Sequence, residues 1–160
     1  MATADLLRAE NKVPLCGVYL MTTDGRILLM KRAVERKLFP DMWEVPGGHV
    51  DPQETPATAI IRETEEETGL RIDGEGLREL GRFTYKHNGT MFDITAFLYQ
   101  LSGTNTDTIR ISSEHTRFSF FPLYEVAAKR SAGEITPLGC KALDLYGPAL
   151  KHATTSKSVA

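Results

Sequence analysis

The sequence predicts a mixed α/β fold in a single domain. First, 160 residues with 41% hydrophobic and 25% charged side chains suffice for one buried core and are ordinary for a globular chain. Second, strand-like and helix-like stretches are interleaved: two strands, a helix, three strands, then one or two helices. Third, a short helix lies between two hairpin signals, Asp24-Gly25 and Asn88-Gly89. These observations alone leave several mixed folds open.

Residues 1–12 are short, charged and peripheral. Leu15 to Thr22 is apolar and β-branched and reads as a strand, Asp24-Gly25 turns the chain, and Arg26 to Lys31 returns. Residues 32–42 form a loop that gathers Arg32, Arg36 and Lys37 beside Lys31. Trp43 to Val45 is a brief extended piece, Pro46-Gly47-Gly48 is a turn, and Gly48 to Thr55 leads into the helix. Arg71 to Gly76 is turn-rich. Leu80 to His87 and Thr90 to Leu101 are paired strands, and Ser102 to Ser113 is a polar loop. Arg117 to Phe121 is the last strand, Pro122 to Lys129 a short helix, and Thr136-Pro137 opens another. There Leu138, Ala142, Leu145 and Tyr146 recur at helical spacing. Residues 152–160 lack apolar content. The expected organisation is a peripheral segment 1–12, a domain over 13–150 and a disordered tail over 151–160.

Thr55 suits a helix N-cap, Pro56 the first helical position and Gly69 the stop. A helix turns by about 100° per residue. Ala57, Ile60, Ile61, Thr64 and Thr68 then share a core-facing side, while Glu63, Glu66 and Glu67 gather on another. Arg62 borders that acidic side, and Glu65 falls off it as a surface residue. Like charges at this spacing repel. A hard divalent cation removes the conflict, because it takes carboxylate oxygens together with water and substrate phosphates; Mg²⁺ is the expected ion, with Mn²⁺ able to substitute.

Gly48, Glu54, Arg62, Glu63, Glu66, Glu67, Gly69 and Leu70 stand at the spacing of a known signature. The stretch Gly48 to Leu70 resembles the box of the Nudix hydrolases, the MutT-like family. Trp43-Glu44-Val45-Pro46-Gly47 before it is also typical. Thr64 departs, standing where that pattern has an aliphatic residue. The resemblance implies an α/β/α sandwich around a mixed sheet, and cleavage of a diphosphate linked to another group, most often a nucleoside. It makes Glu63, Glu66 and Glu67 metal ligands, with the backbone carbonyl of Gly47 as a further one. Glu54 and Arg62 would orient these carboxylates. Glu63 is a candidate base, and Glu114 is a candidate outside the box, as metal ligand or base. His115 beside it reads as a surface histidine.

The reaction that suits such a constellation is hydrolysis of a phosphoanhydride, with water attacking phosphorus. No Walker sequence is present, which argues against a P-loop enzyme. Arg32, Arg36 and Lys37 are candidates for phosphate, and Phe39 and Tyr85 for stacking on a base; Trp43 and Phe92 are assigned to the core. A net charge of −2 gives no basic field, so neither nucleic acid nor membrane is an expected partner. Cys16 and Cys140 form no disulfide framework and no zinc spacing. With no apolar signal segment at the start, a cytoplasmic location is expected. Homodimers are frequent among proteins with this box. Two alternatives stand beside the nucleotide pyrophosphohydrolase: a module that senses nucleotides without hydrolysis, and an enzyme for a non-nucleotide diphosphate.

Overall fold

A strand of alternating allegiance divides the core. In β1 (Lys12–Met21), Cys16, Val18 and Leu20 join one buried cluster, and Tyr19 and Met21 join another on the opposite face. Successive strand side chains point to opposite faces, so one strand feeds both. The computed structural model describes residues 11–102 and 108–155. The expected peripheral segment up to residue 10, the centre of the polar loop and the last five residues of the expected tail lie outside the described residues.

The other strands are β2 (Ile27–Arg32), β3 (Trp43–Glu44), β4 (Gly47–His49), β5 (Leu77–His87), β6 (Thr90–Gln100) and β7 (His115–Phe121). β1 starts three residues before the expected Leu15, because it pairs in parallel with β6 from Lys12 opposite Met91 to Met21 opposite Gln100. β5 and β6 form the expected hairpin, with Asn88 and Gly89 both at positive φ (47° and 80°), as a type I′ turn needs. β1 meets β2 only at Met21 opposite Ile27, whereas β2 pairs extensively with β7 and briefly with β3. The expected turn at Pro46-Gly47-Gly48 contains strand β4 instead, antiparallel to β1 from Leu15 to Gly17. A Cβ at Gly47 would overlap the Cys16 carbonyl, so glycine is what lets β4 come this close.

Helix α1 (Pro56–Thr68) covers one face of the sheet with Ala59 and Ile60, and α3 (Pro137–Thr155) covers the other with Ala142, Tyr146 and Leu150. A short α2 (Leu123–Ser131) buries Val126 in a third cluster with Leu29, Trp43 and Ile135. The result is the expected mixed α/β domain, a seven-stranded mixed sheet with helices on both faces. No helix among the described residues is long and apolar enough to cross a membrane.

The expected tail needs correction. α3 runs through Pro148 to Thr155, so residues 151–155 are helical rather than disordered. Leu150 is fully buried and Ala153 packs on the same cluster, so the last turns have an apolar anchor. The Thr154 and Thr155 hydroxyls donate to the Lys151 carbonyl, about one turn back. Leu150→Ala should therefore destabilise the protein by about 2–5 kcal/mol, read as a lower urea midpoint. A change under about 0.5 kcal/mol, the usual effect at an exposed position, would mean this helix end is not docked.

Candidate active site

The acidic side of α1 is held in place by both helix ends. Thr55 caps the N-terminus: its hydroxyl accepts from the Thr58 N–H at 3.2 Å, and the Thr58 hydroxyl accepts from the Thr55 N–H at 3.0 Å. This reciprocal cap uses threonine where glutamate is commoner. Gly69 ends the helix at φ 76° and donates its N–H to the Glu65 carbonyl. Thr64 fits the buried slot because its hydroxyl donates to the Ile60 carbonyl at 2.6 Å, which leaves no unmet polar group. Glu65 is exposed and pairs with Arg71, as expected.

Arg62 joins the acids. It donates to both oxygens of Glu54, Nη2 at 2.7 Å and Nε at 2.8 Å, and from Nη1 to Glu63 at 3.0 Å and Glu66 at 3.2 Å. Its Nη2 also reaches the His49 carbonyl at 3.1 Å. Such forked, charge-assisted bonds are strong. The guanidinium holds the Glu54 carboxyl down at about 2. Glu63 moves the opposite way: its burial outweighs Arg62 and raises its proton affinity. A Cβ at Gly48 would overlap the Glu63 carboxylate, so this glycine makes room for the acid.

Glu67 is 3% exposed. Its Oε1 accepts from the Gly47 N–H at 2.7 Å. Burial raises this carboxyl well above the usual range; the Gly47 bond opposes the rise, and the charges of Glu44, Glu63 and Glu114 add to it. Glu66 differs, with a side chain 58% exposed, and it does not line the cavity that Glu63 and Glu67 share.

That cavity has a volume of about 290 Å³. At one end lie Glu44, Glu63, Glu67 and Glu114 with Gly47 and Gly48; most of its remaining lining is apolar, including Tyr19, Phe83, Phe92 and Leu138. Phe92 is thus both core, as expected, and cavity wall. Trp43 is buried in the third cluster. Arg32 and Arg36 both reach the cavity but are engaged within the protein. Arg32 donates to both Glu44 oxygens at 2.9 and 3.1 Å and to the Leu38 carbonyl at 2.8 Å, and Arg36 pairs with Glu114 at 2.9 Å. Lys37 lines a separate surface depression with Glu35. Phe39 lines the main cavity and packs on the His87 ring, 4.8 Å between centroids. Tyr85 packs at the margin of the second core cluster and does not line the cavity.

His115 is not a surface histidine. Its side chain is 1% exposed, with Nε2 2.9 Å from Glu44 Oε1 and Nδ1 3.4 Å from Glu67 Oε2. β7 begins at His115 rather than Arg117, opposite Arg32, after a register shift that interrupts simple alternation. Strand periodicity therefore gave no signal for it. Glu44 belongs to the WEVPG run, yet its two partners, Arg32 and His115, are distant in sequence. Cys16 also lines the cavity; burial pushes its thiol up to about 12, so it is an inert wall.

The residues present fit a divalent cation. Buried carboxylates whose charges oppose one another supply hard oxygen donors, and the buried His115 Nδ1 has no hydrogen-bond partner among the described residues. Glu44, Glu67 and His115 each offer a ligand atom within 4.8 Å of the others.

Comparison with known proteins agrees with this geometry. The family model described as the NUDIX domain matches residues 12–139. A MutT-like protein of Streptomyces ambofaciens is 32% identical over 138 residues, covering 86% of this chain and 80% of that protein. An m7GpppN-mRNA hydrolase of Xenopus laevis is 38% identical over 65 residues, 41% of this chain but only 22% of its own length. Among solved structures, the MutT protein of Methanosarcina mazei has the same fold, with TM-score 0.70 at 19% identity over 89% of this chain and 94% of that one.

The Arg62–Glu54 fork gives a direct measurement. Followed by NMR, the Glu54 carboxyl should titrate at about 2, and in Arg62→Gln it should return towards its ordinary value of 4.5. Because the folded value is the lower, the pair stabilises the protein fully above the ordinary carboxyl value and is lost as pH falls through about 2. An unchanged midpoint in the variant would contradict the fork.

Proposed function

The chain belongs to the Nudix family and is a pyrophosphohydrolase, and from that premise we propose that it uses Mg²⁺ to hydrolyse a phosphoanhydride bond in a nucleoside diphosphate linked to another group. One observation carries the reading: Glu63, Glu67, Gly47 and Glu114 line the same cavity as a largely apolar wall. A diphosphate suits the acidic end once a cation offsets the charge, and a base suits the other. The Xenopus laevis relative, named for m7GpppN-mRNA hydrolysis, supports a nucleotide substrate; the chain spans about a fifth of that protein.

The Gly47 carbonyl, Glu63 and Glu67 would hold the ion; Glu66, the other expected ligand, is turned outside the cavity onto Arg62. When bound, it neutralises charge on the phosphate oxygens and favours ionisation of water. The chain's residues do the rest. Arg62 clamps Glu54 and spans Glu63 and Glu66, so the acids keep their places. Glu63 accepts the proton of the attacking water; its raised proton affinity suits a base. Glu114, held by Arg36, is the second acceptor in reach of the cavity. Arg36 is the better placed of the basic candidates to meet phosphate, since Arg32 is turned onto Glu44 and Lys37 lies outside the cavity. Phe39 offers a face for the base.

The apolar wall also suits a non-nucleotide diphosphate, so the test panel includes one. Nucleoside triphosphates, dinucleoside polyphosphates, nucleotide sugars and an isoprenoid diphosphate are incubated with Mg²⁺, and products are identified by phosphorus NMR. Turnover is expected on a nucleotide, lost on chelation and reduced about 100-fold in Glu67→Gln. Full activity in that variant, or nucleotide binding without product, would overturn the assignment. Glu63→Gln should lose more kcat than Glu114→Gln if Glu63 is the base; the reverse order would transfer the role.

A further inference from the structure

Nδ1 of His115 is a buried polar side-chain atom with no hydrogen-bond partner among the described residues. Nε2 of the same ring lies 2.9 Å from Glu44 Oε1. Glu44 is gripped at both oxygens by Arg32, whose own Nε is tied to the Leu38 carbonyl. A carboxylate held this way only accepts, so Nε2 carries the hydrogen and donates it. Nδ1 of the neutral ring is then a bare lone pair. It lies 3.4 Å from Glu67 Oε2, another acceptor, and the two make no hydrogen bond. With Glu67 ionised, two buried acceptors lie side by side and nothing joins them.

A shared cation resolves this. Ligand bonds of about 2.0–2.2 Å place two ligand atoms about 2.8–3.1 Å apart at octahedral angles and about 3.3–3.6 Å apart at tetrahedral ones, and the observed separation of 3.4 Å matches the wider, tetrahedral spacing. The outer contacts also match what an imidazole ligand needs: its second N–H donates to a carboxylate, and that carboxylate is itself hydrogen-bonded.

We propose that His115 Nδ1 and Glu67 Oε2 share a divalent transition-metal ion, with Glu44 and Arg32 holding the ring in its ligating orientation. The inference rests on the Nudix reading of the cavity and adds a nitrogen ligand to an otherwise all-oxygen set. Mg²⁺ binds oxygen almost exclusively, whereas imidazole favours later transition ions. The site therefore prefers Co²⁺, and Mn²⁺ to a lesser degree, over Mg²⁺ by more than carboxylates alone would give.

The test uses the full chain and the metal alone. Pulsed EPR of the Mn²⁺-loaded protein should show coupling to a directly bound imidazole nitrogen, altered when histidine carries ¹⁵N and lost in His115→Gln. Calorimetry should show His115→Gln weakening Co²⁺ about 10- to 100-fold, with Mg²⁺ affected far less. Wild-type protein that binds Mn²⁺ without nitrogen coupling would overturn the proposal, whether or not the variant folds. Equal losses of Co²⁺ and Mg²⁺ affinity would also do so. If such Mn²⁺-loaded protein still hydrolysed a nucleotide, the pyrophosphohydrolase reading would survive; a protein that bound no divalent ion would sink both.

Discussion

The guanidinium of Arg62 is the interaction on which the rest of the site depends. Glu63, Glu66 and Glu67 lie within two turns of one helix, and Glu54 and Asp51 approach from the preceding loop. Left alone, these charges would splay or stay protonated. One planar cation with five donors can meet several carboxylates at fixed angles, which a lysine ammonium cannot do. Its geometry decides which acids face the cavity. Glu54 is saturated, Glu63 is shared between cation and cavity, and Glu66 is drawn outward. Glu67 lies beyond its reach and depends on the Gly47 N–H instead.

That division sets stability against function. Burying Glu67 beside Glu44 opposes folding, because the carboxylate loses its hydration and a like charge lies close. The cost is offset elsewhere, by two apolar clusters on opposite faces of the sheet and by the fully buried Val18, Leu20, Met21 and Ile60. A site with poorly compensated groups on a well-packed scaffold is what an ion-binding cavity requires.

Much of this was legible in the residues. The limits of α1 follow from local rules at Thr55, Pro56 and Gly69, which need no tertiary information. The hairpin at Asn88-Gly89 is local in the same sense. What stayed hidden depends on distant partners. β4 exists because two glycines allow it to lie against Cys16 and Gly17. The last turns of α3 look polar one residue at a time, yet Leu150 and Ala153 dock on strands far away in sequence. His115 turns inward through a register shift at Arg32, and its partner Glu44 is 71 residues away. Glu66 illustrates the converse: helical spacing put it beside Glu63, and Arg62 then took its carboxylate to the outside.

The parallel pairing of β1 with β6 bears on how the chain is made. Lys12 cannot find Met91, nor Met21 find Gln100, until the ribosome has released the intervening sequence. Until then the central ribbon carries an open edge rich in Val, Tyr, Leu and Met, which invites pairing with a neighbouring nascent chain. Such long-range closure is slow compared with hairpin formation. The β5–β6 hairpin can assemble early as a unit and then dock. Biogenesis of this domain is thus governed by when its first strand meets its sixth, a matter of timing that the finished molecule no longer displays.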